Sequence, residues 1–254
     1  MNESAFDHEA LVYDANFTNT GIGKMQRKQV WKLVDCIDIN QSSFILEINC
    51  GTGEDASYWG KRSKNYLGTD VSSEMIAIAR KKNPSLNFEV RDFKDMQSVK
   101  GQFDIIFSNF GGLNCVNHHS LNHIIENLSG KLAPGGRIIC VIMGKKCIWD
   151  NLFLLLKGKT KDLGRRNTNE SLKVHVKNVD VETWYYDPRQ LKKINHMRAT
   201  KIKPIGLFVP PSYLASYFEK RPRLLKLLNA LDSLFRFSFL ANYADHFYIE
   251  LEKK

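Results

Sequence analysis

Apolar and polar positions change period repeatedly along the chain. Five short apolar runs come first: Phe44-Ile45-Leu46-Glu47-Ile48, Tyr66-Leu67-Gly68-Thr69-Asp70, Leu86-Asn87-Phe88-Glu89-Val90, Phe103-Asp104-Ile105-Ile106-Phe107-Ser108 and Arg137-Ile138-Ile139-Cys140-Val141-Ile142. Their length and flanking turns predict strands, and the last two read as buried on both faces. Between them the period is helical. Residues 24–37 set Met25, Val30, Leu33, Val34 and Ile37 on one face. Val71-Ser72-Ser73-Glu74-Met75 opens a helix with a serine cap, which should run to about Lys82 and stop before Pro84. Residues 120–132 form a further amphipathic stretch, closed by Pro134-Gly135-Gly136. Alternating strands and helices predict an α/β fold, a parallel sheet with helices on both faces and ligands at the strand C-termini.

After Gly144 the pattern loosens. Residues 145–157 read as a helix, 157–171 as a polar, basic loop, 173–184 as a hairpin and 188–196 as a short helix. A strand over 200–209, a helix over 222–235 and a closing strand over 246–251 complete the chain.

Charge changes this picture in one place. The chain has 37 Lys+Arg against 27 Asp+Glu, net +10. Residues 144–203 hold 15 basic and 6 acidic side chains, net +9, so the positive field belongs to that segment. Nucleic acid, an anionic membrane face, or a carboxylate or phosphate substrate could each use it, as could plain solvent. No apolar run is long enough to span a membrane, and Met1-Asn2-Glu3-Ser4 does not open a signal peptide. Five cysteines without a CxxC pair predict reduced thiols in the cytoplasm, no disulfide frame and no metal site.

The candidate chemistry starts at Glu47-Ile48-Asn49-Cys50-Gly51-Thr52-Gly53. Glycines here let backbone approach a ligand, and Asn49 tolerates the same left-handed turn. The next helix opens with Glu54-Asp55, which would repel a pyrophosphate, so the ligand should be cationic or weakly anionic. Asp70 closes the second strand and can accept both ribose hydroxyls. Asp92 can accept from an exocyclic amine, and Phe93 can lie against a base. An adenosine with a positive substituent satisfies all three.

These pieces (ILEINCGTG, LGTD followed by VSSEMIAIA, VRDF, FDIIFSNF and LAPGGRIICVIMG, in that order) resemble the class I S-adenosylmethionine-dependent methyltransferases over residues 44–143. The resemblance implies a Rossmann-like seven-stranded sheet, order 3-2-1-4-5-7-6, with the last strand antiparallel and DHFYIEL forming it. It implies S-adenosylmethionine as cofactor and S-adenosylhomocysteine as product. Glu47, Asn49, Gly51 and Gly53 would form the methionine-side turn, Asp70 would take the ribose with Val71 and Met75 beside it, and Asp92 and Phe93 would frame adenine. Asn109 would follow strand four, and Tyr13 and Phe17 would fold over the cofactor. Asn49 departs from the family's usual glycine. On this reading residues 1–254 are one domain: a helical cap (1–43), a cofactor-binding core (44–143), a substrate-lid insertion between strands five and six (144–199) and closing strands with a helix (200–254).

Several acceptors are argued against. Ser108-Asn109-Phe110-Gly111 is not the Asn/Asp-Pro-Pro-Tyr/Phe motif of base amino-methylation, and no Pro-Cys follows strand four. The expected reaction is methylation of a small organic acceptor, most of all at oxygen of an aromatic or lipid-like metabolite with an anionic or hydrophobic character. The expected substrate contacts are Asn114, Trp149, Arg165, Arg166 and Tyr185. The base candidates are His118, His119 and Asp150, with His175 and His196 behind them. RNA or protein methylation through the basic insertion is the alternative enzyme reading, and a non-catalytic binding protein is the third. The basic, apolar stretch from Lys220 onward leaves peripheral membrane contact open. Nothing in the sequence sets the oligomeric state.

Overall fold

The computed structural model describes residues 10–254 apart from 177, 178, 193 and 195. In chain order the elements are α1 (Ala10–Tyr13), a π-helical turn (Asp14–Thr18), α2 (Gly21–Val34), β1 (Phe44–Ile48), α3 (Glu54–Trp59), β2 (Asn65–Asp70), α4 (Ser73–Lys82), β3 (Asn87–Val90), β4 (Phe103–Ser108), α5 (His118–Ser129) and β5 (Leu132–Met143). Then follow α6 (Ile148–Leu156), the hairpin β6 (Leu172–Val176) and β7 (Val179–Thr183), α7 (Pro188–Leu191), β8 (Met197–Ile205), α8 (Ala215–Glu219), α9 (Pro222–Leu234) and β9 (His246–Lys253).

Seven strands form one sheet in the order β3-β2-β1-β4-β5-β9-β8. The first five are parallel, while β9 runs antiparallel to both neighbours. Strands eight and nine are thus the sixth and seventh of the expected order, and β6–β7 is a separate hairpin. Because side chains alternate across a strand, the sheet buries two apolar layers. Leu46, Ile48, Ile106, Ile138, Cys140 and Ile249 face α5, with its Leu121, Ile124, Ile125 and Leu128. Ile45, Ile105, Phe107, Ile139, Val141 and Tyr248 face the other way, toward Val30, Leu33 and Val34 of α2 and toward α3 and α4.

Several boundaries differ from the sequence pattern. Asn117 caps α5 by accepting from the Ser120 amide, so the helix starts at His118, and it stops at Ser129 because Leu132 already belongs to β5. The 145–157 helix begins only at Ile148, and the 188–196 helix ends at Leu191. Strand β8 ends at Ile205, where Gly206 turns with φ +66°. Helix α8 has no strong sequence signal, being five residues anchored by Ala215 and Phe218.

The topology positions the site. Parallel strands β1, β2 and β4 all end at one edge of the sheet. The antiparallel β9 starts at that same edge, with His246 opposite Met143, the last residue of β5.

Candidate active site

A cavity of about 780 Å³ opens along this edge. Its inner part is built by the turn after β1. Gly51 takes φ +52° with no atom within 4 Å of where a side chain would begin, so bare backbone faces the cavity. Asn49 adopts φ +56°, and its amide donates to Ser108 Oγ at 3.0 Å, so asparagine serves where glycine is usual. Gly53 also turns left-handed (φ +73°), but it packs on Ala79 of α4 and does not line the cavity.

The carboxylates are held by backbone and side-chain donors. Asp70 accepts from the Gly51 amide at 2.9 Å and the Ser72 amide at 3.0 Å, which ties the ends of β1 and β2 together. Asp92 accepts from the Lys94 amide at 2.9 Å. Glu47 is buried and accepts from Tyr66 Oη at 2.7 Å. Burial, then the nearby Asp55 charge, push its carboxyl well above the usual range. Asp55 is itself buried, ion-paired with Arg27, and accepts from Trp31 Nε1 at 2.6 Å and Asn109 Nδ2 at 2.9 Å. The Arg27 guanidinium also lies 5.2 Å from the Phe110 ring centre, and Phe17 meets that ring edge-on at 5.2 Å. Tyr13 completes this wall, its phenol pushed up to about 12 by burial and therefore neutral.

The outer part is different. Leu172 and Val174 of β6, Val181 and Thr183 of β7, and Tyr185, Tyr213, Cys115 and Val116 line it. A charge cluster also lies against the cavity, through Arg165, Arg166, Asp245 and His246. Arg166 Nη1 lies 3.2 Å from Asp245 Oδ1, and its Nε lies 3.5 Å from Asp150 Oδ2. Arg165 donates twice to Asp150, at 2.9 and 2.7 Å. His246 Nδ1 lies 3.2 Å from Asp245 Oδ2, with its ring edge-on to Phe110 at 5.2 Å. Burial opposes the Asp245 charge, but His246 and Arg166 together hold its carboxyl far below the usual range.

Of the residues singled out in the sequence, Tyr13, Phe17, Glu47, Asn49, Gly51, Asp70, Val71, Met75, Asp92, Phe93, Asn109, Arg165, Arg166 and Tyr185 line the cavity. The others do not. Asn114 is fully buried as a backbone clamp, bonding Met143 N at 2.9 Å and Trp184 O at 2.5 Å. Trp149 turns toward Phe218 and donates to Phe208 O at 3.1 Å. His118 packs edge-on to Tyr186 at 4.6 Å, where burial and Lys145 lower its pKa, and His119 is exposed. Asp150 is committed to the two arginines. His196 lies at the opposite edge of the sheet, just before Met197, which pairs with Lys253. The side chain of His175 lies outside the described residues.

The sequence reading missed Arg27, Asp55, Asp245 and His246. A usable signal existed for His246. A first residue of an antiparallel last strand must fall at the ligand edge, and that strand opens with Asp245-His246.

The donor set fits an adenosine bearing positive charge. Three carboxyl groups, Glu47, Asp70 and Asp92, face the inner cavity together with bare Gly51 backbone. Asn109 Oδ1 is buried without a donor among the described residues, which is an open place for an ammonium. Fold and site together define a Rossmann-like protein whose cavity fits S-adenosylmethionine.

Comparison with known proteins agrees. Residues 45–136 match the family model described as a methyltransferase domain. An uncharacterized protein of Methanocaldococcus jannaschii is 28% identical over 233 residues, 84% of this chain and 85% of that protein. A malonyl-[acyl-carrier protein] O-methyltransferase of Enterobacter lignolyticus is 26% identical over 113 residues, 44% of this chain and 44% of that enzyme, so the match spans less than half of it. The solved DhpI–SAM–HEP complex superposes with a TM-score of 0.64 at 14% identity, covering 97% of this chain and 94% of that one. The chain thus carries a methyltransferase domain over residues 45–136, on the fold of the class I S-adenosylmethionine-dependent methyltransferases.

Two predictions belong here. Asp70→Ala should weaken S-adenosylmethionine binding by about 10- to 100-fold, the loss of charge-assisted hydrogen bonds plus a loosened Gly51 turn. Calorimetry on the two proteins measures it, and equal affinities would remove Asp70 from the ribose. Glu47→Gln should stabilise the cofactor-free protein. A carboxyl with a raised folded pKa favours folding at low pH and opposes it as pH rises through that pKa. The gain in Tm should therefore be larger at pH 8 than at pH 5, while cofactor affinity falls.

Proposed function

We propose that the protein methylates a small organic acceptor at oxygen, the acceptor being aromatic or lipid-like. The observation that carries this reading is the outer cavity. Leu172, Val174, Val181, Tyr185 and Tyr213 line it, with Lys173, Thr183 and Ser212 among them, a largely apolar and aromatic wall suited to a compact greasy molecule. Residues 144–199, as the substrate lid, supply most of that wall. Arg165 and Arg166 serve as its rigid floor and not as a free anion handle, because Asp150 and Asp245 already neutralise them. The same pairing weakens the case for RNA, since part of the basic segment's charge is spent internally. The unpaired cysteines support a reducing compartment, the cytoplasm.

The bound cofactor supplies an electrophilic methyl group on a sulfonium. The chain's own residues then have three tasks. The backbone at Gly51 and the carboxylates of Asp70 and Asp92 orient the adenosine end, and Asn109 and Glu47 receive the ammonium end. The β6–β7 hairpin and Tyr185 exclude water from the acceptor. His246 is the general base for a neutral hydroxyl. Its Nδ1 lies 3.2 Å from the Asp245 carboxylate, and the imidazole lines the cavity. Asp245 places its charge beside the ring, and Arg166 keeps Asp245 ionised.

The test is incubation of native extract with the protein and methyl-labelled cofactor, followed by mass spectrometry of metabolites, RNA and protein. Label should appear in a small molecule at an O–CH₃ group. Label confined to RNA or protein would overturn the proposal.

A further inference from the structure

We infer that the exposed apolar stripes of α6 and α9 seat the protein on an anionic lipid surface. The first stripe is on α6. Ile148, Leu152, Leu155 and Leu156 recur at helical spacing and are all exposed, Leu156 by 77%. The opposite side of that helix is spoken for, by buried Leu154 and by Asp150 in its arginine cluster. The second stripe is on α9 and just beyond it: Leu224, Leu227 and Leu234 are exposed, and Phe237 and Phe239 follow, Phe239 by 72%.

Helix α9 cannot turn this stripe inward. Its inner side carries Asp232, which accepts from the amides of Leu207, Phe208 and Val209 at 2.8 to 3.0 Å and from Gln29 at 2.9 Å. Leu225 is the one buried apolar residue of the helix. The fold therefore spends Asp232 on the core and leaves Leu224, Leu227 and Leu234 outside, unlike an ordinary surface helix. Both helices rest on the same small cluster, in which Trp149, Phe218 and Leu225 meet. The α6 stripe also adjoins the acceptor end of the cavity, because Phe153 packs on Tyr213 at 5.3 Å and Tyr213 lines the cavity.

Charge selects the occupant. Exposed Lys157, Lys159 and Lys161 follow the first stripe, and exposed Lys220, Arg221, Arg223 and Lys226 accompany the second. Neither run of the sequence, 157–161 or 220–228, contains a carboxylate. Leucines and phenylalanines rimmed by lysine and arginine match an acyl boundary beneath anionic headgroups. A second copy of this chain would bring like charges together. The surface stands whether or not the acceptor reading holds.

The test is co-sedimentation of the full chain with vesicles of phosphatidylcholine alone and of phosphatidylcholine mixed equally with phosphatidylglycerol. Binding is expected to the mixed vesicles and to fall with salt. The double variant Leu155→Glu/Leu156→Glu should lower the partition coefficient about tenfold or more, from lost apolar burial. Lys220→Glu/Arg223→Glu should lower it about tenfold or more on mixed vesicles, from lost headgroup attraction. Unchanged circular dichroism and S-adenosylhomocysteine affinity in both variants exclude misfolding. Failure of the wild type to bind mixed vesicles overturns the proposal, as does binding that neither variant changes. A dimer in sedimentation that Leu155→Glu/Leu156→Glu dissolves would assign the surface to a second copy and overturn it too.

Discussion

His246→Gln is expected to lower kcat by about 100- to 10,000-fold on the acceptor found by labelling, the usual worth of a positioned base. Cofactor affinity should stay near that of the wild type, because the residues proposed for the adenosine end, Asp70, Asp92 and Gly51, are held by bonds that do not involve β9. Glutamine keeps a side chain of similar reach beside Asp245 but carries no basic lone pair on nitrogen. The split between kcat and cofactor binding is what identifies a base, since a general loss of structure would move both. Asp245→Asn should follow in the same direction with a smaller loss, as it removes the group that orients the imidazole. Unchanged kcat in His246→Gln would mean that the acceptor reaches the site already ionised, as a carboxylate or a phenolate, and needs no base.

Arg166→Ala is expected to destabilise the fold by roughly 3–5 kcal/mol, because it leaves buried Asp245 without its arginine, while Asp150 keeps Arg165. Asp150 is 2% exposed and Asp245 3%. In a chain of this length the Tm should fall by about 10 °C. Arg165→Ala is the control. That side chain is 44% exposed and water can replace it beside Asp150, which also keeps Arg166 at 3.5 Å, so its loss should cost less. The effect also has a pH signature. Asp245 has a folded pKa below its unfolded one, so its ionised form contributes stability at neutral pH that is lost as pH falls through the acid range. The gap in Tm between Arg166→Ala and wild type should therefore be full at pH 7 and narrow below the usual carboxylate range. A scanning calorimeter at several pH values reads both. Equal effects of the two arginine substitutions would contradict the burial that separates them.

The fold and the inner half of the site were legible in the sequence because their signals are local. A run such as Ile138-Ile139-Cys140-Val141-Ile142 reads as a buried strand wherever it lies, since both its faces are apolar. The turn at Asn49 to Gly53 requires residues that tolerate left-handed backbone, and Asp70 stands at a fixed distance along the chain from Gly51. Short-range backbone geometry fixes all of these, and the tertiary structure had only to bring parallel strand ends to one edge. The outer half was not legible, because its contacts join residues far apart in sequence. Arg27 and Asp55 are ordinary charges on two helices until the sheet sets them against each other beneath Phe110. Asp150, Arg165, Arg166, Asp245 and His246 come from an insertion, a loop and the last strand. His118 and His119 followed a strand end as a base should, yet the turn of α5 sends one to Tyr186 and the other to solvent. Local pattern specifies which element a residue joins. Which way an isolated polar side chain faces is decided by desolvation, and a buried charge settles only where the assembled fold provides its partner.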